Sequence, residues 1–194
     1  FADMVQVLFG EVDEVYCTMD THTPRLIKGA PVVGDVQADV EDTWHAVIRF
    51  TSGLHVLWTY SRALHETGYK TATYYGSMGT IRDLGFPFHP FQGGGTLTLS
   101  DQSTVSNEEI QQAYMESLTE EEKDKYFPYG TTDGFAIEVW DFVNAIANGR
   151  KPEMDGHDGL RAKTLCECCY ESATIGAPVK FNDVLEGKVN TYQE

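Results

Sequence analysis

The stretch from Asp133 to Val179 constrains the fold more than any other part of the chain. After Asp133, a good N-cap, Ala136, Val139, Trp140, Val143 and Ala147 recur at helical spacing, and Phe135, Phe142 and Ile146 widen the stripe. A stripe this wide predicts a helix packed hard against something large. Asn148-Gly149 stops it, and Pro152 blocks any continuation. A second helix is predicted after Asp155-Gly156, with Ala162, Leu165, Cys166, Cys169 and Ala173 on one face and Gly176 as its cap. Ala177-Pro178-Val179-Lys180-Phe181 then reads as a short edge strand, because proline sits only at the start or edge of a sheet strand.

These residues also carry a resemblance. The ordered series Glu138 to Ile146, Asn148-Gly149-Arg150-Lys151-Pro152-Glu153, Asp155-Gly156-His157-Asp158-Gly159-Leu160, Tyr170-Glu171-Ser172-Ala173 and Gly176-Ala177-Pro178-Val179 resembles the C-terminal end of the Gfo/Idh/MocA oxidoreductases. The opening run Phe1 to Val15 is similar to a second segment of that family. On that alignment the family's active-site His falls immediately before Phe1 and its catalytic Lys lies further upstream. The resemblance therefore implies no catalytic residue within the chain, and a structural part for Asp3. It further implies NAD or NADP bound by an N-terminal Rossmann domain that this chain lacks, and oxidation or reduction at a hydroxyl or keto carbon of a sugar, polyol, inositol or glycoside. Nothing between Phe1 and Glu194 supplies a dinucleotide fingerprint. Gly93-Gly94-Gly95 has no helix after it and reads as a loop.

The formal net charge of -16 argues against nucleic acid or an anionic membrane as partner and suits a protein handling small neutral, carbohydrate-like molecules. No apolar run approaches the ~20 residues of a membrane helix, and the expected location is cytoplasmic. The four cysteines, Cys17, Cys166, Cys168 and Cys169, have no CxxC spacing and read as reduced thiols rather than zinc ligands. Asp20, His22 and His45 form no fixed metal-binding spacing, and no metal is expected.

In chain order, Phe1 to Phe9 reads as the last part of a helix and Val12 to Met19 as a strand. Residues 20–42, with their prolines, glycines and acids, read as irregular. Trp44 to Phe50 and Leu54 to Ser61 form a hairpin about Ser52-Gly53. A two-residue turn there sets Phe50 opposite His55 and Val47 opposite Trp58, placing Trp58 and Tyr60 on the outer sheet face. Lys70 to Tyr75, Thr80 to Asp83 and Thr96 to Leu99 add strands, and Asn107 to Leu118 a helix. Strands followed by helices predict an α+β fold: an open, mostly antiparallel β-sheet with helices on one face, the other face an oligomer interface covered by a twin subunit. Residues 1–194 are read as a single C-terminal substrate-binding and oligomerisation domain, with 101–132 an inserted excursion.

Aromatic faces and a few directed polar groups bind sugars. The candidate substrate wall is Trp58, Arg62, His65 and Tyr69, beside Glu66, on or after the second hairpin strand, with His89 in the aromatic run Gly85 to Phe91. The rival reading is a non-catalytic binding or assembly module without any nucleotide domain. A third is a metal enzyme built on the His and Cys residues.

Overall fold

The computed structural model describes residues 1–23, 25–30, 34–38, 40–63, 72–83 and 95–193. In chain order the elements are α1 (Ala2–Phe9), β1 (Val12–Asp20), β2 (Arg25–Ala30), β3 (Gly34–Ala38), β4 (Thr43–Phe50), β5 (His55–Ser61), β6 (Ala72–Gly76), β7 (Gly79–Asp83), β8 (Gly95–Leu99) and β9 (Thr104–Ser106). There follow α2 (Asn107–Ser117), α3 (Glu120–Tyr126), α4 (Gly134–Asn148), α5 (Gly156–Ile175), β10 (Val179–Lys180) and α6 (Phe181–Leu185). Every strand pairing among the described residues is antiparallel, in sheets ordered β10-β1-β4-β5, β2-β3 and β6-β7-β8-β9. The fold is α+β with open sheets.

The chain forms two compact units, residues 1–67 with 154–194, and residues 68–153. In the first, β1 and β4 alternate faces as a half-buried sheet must. Val15 and Cys17 of β1 meet Ile48 and Ala46 of β4 on the inner face, where α1 and α5 add Val5, Leu165, Cys168 and Cys169. Small Cys and Ser side chains along α5 let its backbone come close to β1. Cys166, expected on that face, is only partly buried, and Cys168 and Ser172 take the inward positions.

One of those small residues has a second task. Strand β10 covers β1 only at Glu14 and Val15, so the amide of Cys17 has no strand partner on that edge. It donates instead to Ser172 Oγ at 2.9 Å, and the Ser172 hydroxyl donates to Ala177 O at 2.8 Å. Ser172→Ala leaves a fully buried amide unsatisfied. The expected loss is about 1–3 kcal/mol, read from the urea unfolding midpoint.

The C-terminal residues are tied down by a buried carboxylate. Glu171, 1% exposed, accepts the Tyr192 amide through both oxygens, and Tyr192 stacks on Tyr170 with ring centroids 4.7 Å apart.

Residues 20–42 are not irregular throughout. β2 and β3 pair through Arg25–Ala38, Leu26–Gln37 and Ile27–Val36, and Asp35 Oδ1 accepts the Gly29 amide at 2.9 Å. The ladder defines this ribbon, whose Leu26 is 55% exposed, and a search for apolar periodicity misses such a ribbon.

In the second unit, the row Tyr74–Ile81–Leu97–Val105 crosses all four strands of β6 to β9. Residues 101–132 hold β9, α2, α3 and a 3-10 turn at Pro128–Gly130. Both α2 and α3 start in capping boxes, Ser106 with Glu109 and Thr119 with Glu122. Helix α4 follows with Asp133 as its cap and Gly149 in the left-handed conformation at its end. Its expected tight packing is not found. Phe135, Val139, Phe142, Val143 and Ile146 are exposed, and Ala145 is the buried residue on this helix. The helix owes its ends to polar anchors: Arg150 donates to Asp141 Oδ1 and Asn144 Oδ1, and the Glu153 amide to Asp141 Oδ2.

Candidate functional site

The β4–β5 hairpin gathers the candidate residues that the structure describes. Its turn is one residue longer than expected. Phe50 pairs with Leu54 across Thr51-Ser52-Gly53, and Gly53 takes φ +86°, the left-handed position that such a loop requires. The register therefore shifts by one, to Arg49–His55, Ile48–Val56, Val47–Leu57, Ala46–Trp58 and Trp44–Tyr60. A one-residue shift exchanges the faces of a strand. Trp58 and Tyr60 consequently lie on the inner face with Trp44 and Ala46, not on the outer face as expected. The outer face carries Tyr16, Val47 and Leu57, with His45 and Arg49.

On the inner face four rings form a series. Phe1 stacks on Trp58 with centroids 4.4 Å apart, Trp58 meets Trp44 edge-on at 5.4 Å, and Trp44 stacks on Tyr60 at 4.1 Å. The indole nitrogen of Trp44 is buried and has no hydrogen-bond partner among the described residues. At the end of the series the Tyr60 hydroxyl accepts from Arg62 Nε at 2.8 Å.

A polar clamp fixes the backbone below Arg62, whose amide donates to Asp42 O at 2.8 Å. The Asp42 carboxylate accepts from Thr23 Oγ1 (2.5 Å), Thr23 N (2.7 Å), His22 N (3.0 Å) and Thr43 Oγ1 (3.0 Å). Because Thr43 donates its proton to Asp42, the 2.7 Å contact between Thr43 and Ser61 has Ser61 as donor. The Thr23 hydroxyl and the surrounding amides hold the Asp42 carboxyl well below the usual carboxylate range. The clamp's contribution is thus present above that range and is lost progressively as pH falls below about 4.

Of the expected wall, Trp58 and Arg62 are brought to one end of the hairpin through Tyr60. His65, Glu66, Tyr69, His89, Gly93 and Gly94 lie outside the described residues. Trp44, Tyr60 and Asp42 are not members of the wall expected from the sequence. The signal was present in the shared parity of Trp44, Trp58 and Tyr60, and the wrong turn length concealed it. Asp3 lines a separate open crevice of about 180 Å³ with Gln6, Glu11, Asp158 and Arg161, in which Arg161 pairs with Glu11 at 2.5 Å. Among the described residues no group of three or more His, Cys, Asp or Glu is placed to hold a metal ion.

Every α-helix start among the described residues carries an acid. Asp3, Glu108, Glu120 and Asp183 sit in first turns, and Asp133 and Asp155 serve as caps. A dinucleotide's pyrophosphate seeks a helix N-terminus free of negative charge, so these residues do not fit a nicotinamide dinucleotide.

A family model described as "Oxidoreductase family, C-terminal alpha/beta domain" and labelled GFO, IDH and MocA matches residues 1–181. The chain belongs to the Gfo/Idh/MocA oxidoreductase family. Solved structures of similar fold include other oxidoreductases. An oxidoreductase from Agrobacterium radiobacter, in complex with NAD+, L-tartaric acid and magnesium, is 16% identical with a TM-score of 0.62; the match covers 93% of this chain and 46% of that one. Levoglucosan dehydrogenase is 25% identical with a TM-score of 0.63, covering 92% of this chain and 48% of that one. The WlbA dehydrogenase from Bordetella pertussis, in complex with NADH and UDP-GlcNAcA, is 19% identical with a TM-score of 0.59, covering 92% and 44%. The chain thus spans less than half the length of each of these relatives. No curated protein matches it by sequence.

Proposed function

We propose that this chain is the substrate-side part of an NAD(P)-dependent oxidoreductase acting at a hydroxyl or keto carbon of a sugar, polyol, inositol or glycoside. The observation that carries the reading is the family match over residues 1–181. Neighbours whose names include levoglucosan dehydrogenase and aldose-aldose oxidoreductase from Caulobacter crescentus support carbohydrate as the substrate class. In this reading Trp58 and Arg62, with His65, Tyr69 and His89, form the substrate wall, and NAD or NADP is held by residues outside this chain. The acidic helix starts support that division of labour, since no pyrophosphate would settle on them.

The test is reduction of NAD+ and NADP+, followed by absorbance, over a panel of sugars, polyols, inositols and glycosides. The longer protein containing this chain is expected to turn over at least one of them, and residues 1–194 alone none. Sugar binding without turnover by the longer protein, with either cofactor, would favour a binding or assembly module instead.

The outer face of the β10-β1-β4-β5 sheet is the proposed contact between copies. Tyr16, Val47 and Leu57 stand side by side there at 40%, 38% and 78% exposure. Leu57→Asp is expected to shift the protein to monomer in sedimentation velocity without changing its circular dichroism. An unchanged sedimentation coefficient in an oligomeric wild type would remove this face from the reading.

A further inference from the structure

We infer that Arg62 is the receptor for an anionic group on the substrate, a carboxylate or a phosphate, so that the Tyr60–Arg62 end of the hairpin takes acidic sugars in preference to neutral ones. The inference rests on the carbohydrate reading above and narrows it.

The chain has 30 acidic side chains for 14 Lys and Arg, and most described cations find a carboxylate. Arg49, Arg150, Arg161, Lys123, Lys125, Lys163, Lys180 and Lys188 are all in ion pairs. Among the described residues Arg62 pairs with none. Its head group is nevertheless fixed, since Nε donates to the Tyr60 hydroxyl and the Tyr60 ring is set by its stack on Trp44. Among the described residues Arg82, Lys28 and Lys151 also find no carboxylate, and there no side-chain hydrogen bond holds them.

The acid tied to the Arg62 backbone is already committed. Asp42 sits below Arg62, and both its oxygens are filled: Oδ1 by His22 N and Thr43 Oγ1, Oδ2 by Thr23 N and Oγ1. Arg62 touches this residue only through its backbone, amide to carbonyl. A neutral phenol occupying Nε leaves the two terminal nitrogens, the fork that matches a carboxylate or phosphate bidentately. A guanidinium held rigid loses less side-chain entropy on binding than a free surface arginine would. Tyr60, the ring at the end of the aromatic series and 36% exposed, gives a sugar an apolar neighbour next to that fork. The net charge of -16 repels an anion at long range. That field is screened beyond about 8 Å at physiological salt, so the contact charge decides.

The test is calorimetric titration of the protein containing this chain with D-glucose, D-glucuronate, D-glucose 6-phosphate and inorganic phosphate at fixed ionic strength. At least one acidic sugar is expected to bind about tenfold more tightly than glucose, and which one it is separates carboxylate from phosphate. Arg62→Gln should bring the acidic sugar down to the affinity of glucose for the same variant, while Arg62→Lys, a point charge without the fork, should keep part of the preference. Tyr60→Phe keeps the ring stack, frees Nε, and should weaken the preference less than Arg62→Gln. Equal binding of glucose, no measurable binding of either acidic sugar, or a preference that survives Arg62→Gln overturns the inference. So does inorganic phosphate matching the sugar phosphate. Should acidic sugars bind through Arg62 while no nicotinamide is ever reduced, the oxidoreductase reading fails and this one stands.

Discussion

Replacing Phe181 by alanine is expected to destabilise the first unit by about 3–5 kcal/mol, the cost of removing a fully buried aromatic ring and leaving a cavity. Phe181 is 0% exposed and belongs to the cluster of Val15, Ile48, Leu165 and Val179. It comes directly after β10, so it joins the edge strand to α6, and the Arg161 guanidinium lies 5.1 Å from its ring centroid. That cation can leave for water, so the loss is mainly the apolar burial. Urea unfolding followed by far-ultraviolet circular dichroism measures it. Phe181→Leu should recover more than half of the loss. A Phe181→Ala midpoint within about 1 kcal/mol of wild type would mean that the cluster collapses into the space and packs less tightly than described.

The second large effect is chemical. Burial pushes the Cys168 thiol up to about 12 from an ordinary value of 9.0. Only the thiolate is alkylated, so at pH 8 the reactive fraction falls about a thousandfold, before any further protection from its 0% exposure. Iodoacetamide labelling of the native protein, resolved by peptide mass spectrometry, is expected to leave Cys168 unmodified long after a free cysteine has reacted. Its rate should rise about tenfold per pH unit from pH 8 to 11 while the fold holds. Cys169 is shielded in the same way, because its thiol donates to Cys17 and is itself buried, which raises it. Denaturation should bring all the cysteines to one rate. Rapid labelling of Cys168 in the native state would show that α5 detaches from β1 far more readily than its packing implies.

Much of the framework can be read from the chain before any coordinates. The helix stops at Gly10, Gly149 and Gly176 are local backbone events, each glycine taking a positive φ, and local chemistry shows in sequence. The same holds for the Asp133 and Asp155 caps. What was misplaced depends on counting across a gap. One extra residue in the Thr51–Gly53 turn moved Trp58 and Tyr60 to the opposite face, and no periodicity within β5 alone reveals that. Arg62 stood out as a polar group after an aromatic strand. Its tie to Tyr60 is local, two residues back, but its backbone link to Asp42 and through it to the distant Thr23 is long-range, and composition does not carry it. The stripe on α4 is a true helical signal, but a stripe records what a helix offers and not what covers it.

The hydroxyl of Ser172 also has a consequence for how this protein meets other chains. An exposed strand edge is a template on which a foreign strand can add. Along β1, β10 occupies the edge at Glu14 and Val15, and the next inward-facing amide, that of Cys17, is taken by a helix side chain. An invading strand would have to pull α5 off the core before it could hydrogen-bond there. Strand addition along β1 is thereby hindered at Cys17, whereas β5 forms the opposite edge of this sheet without such a cover from α5.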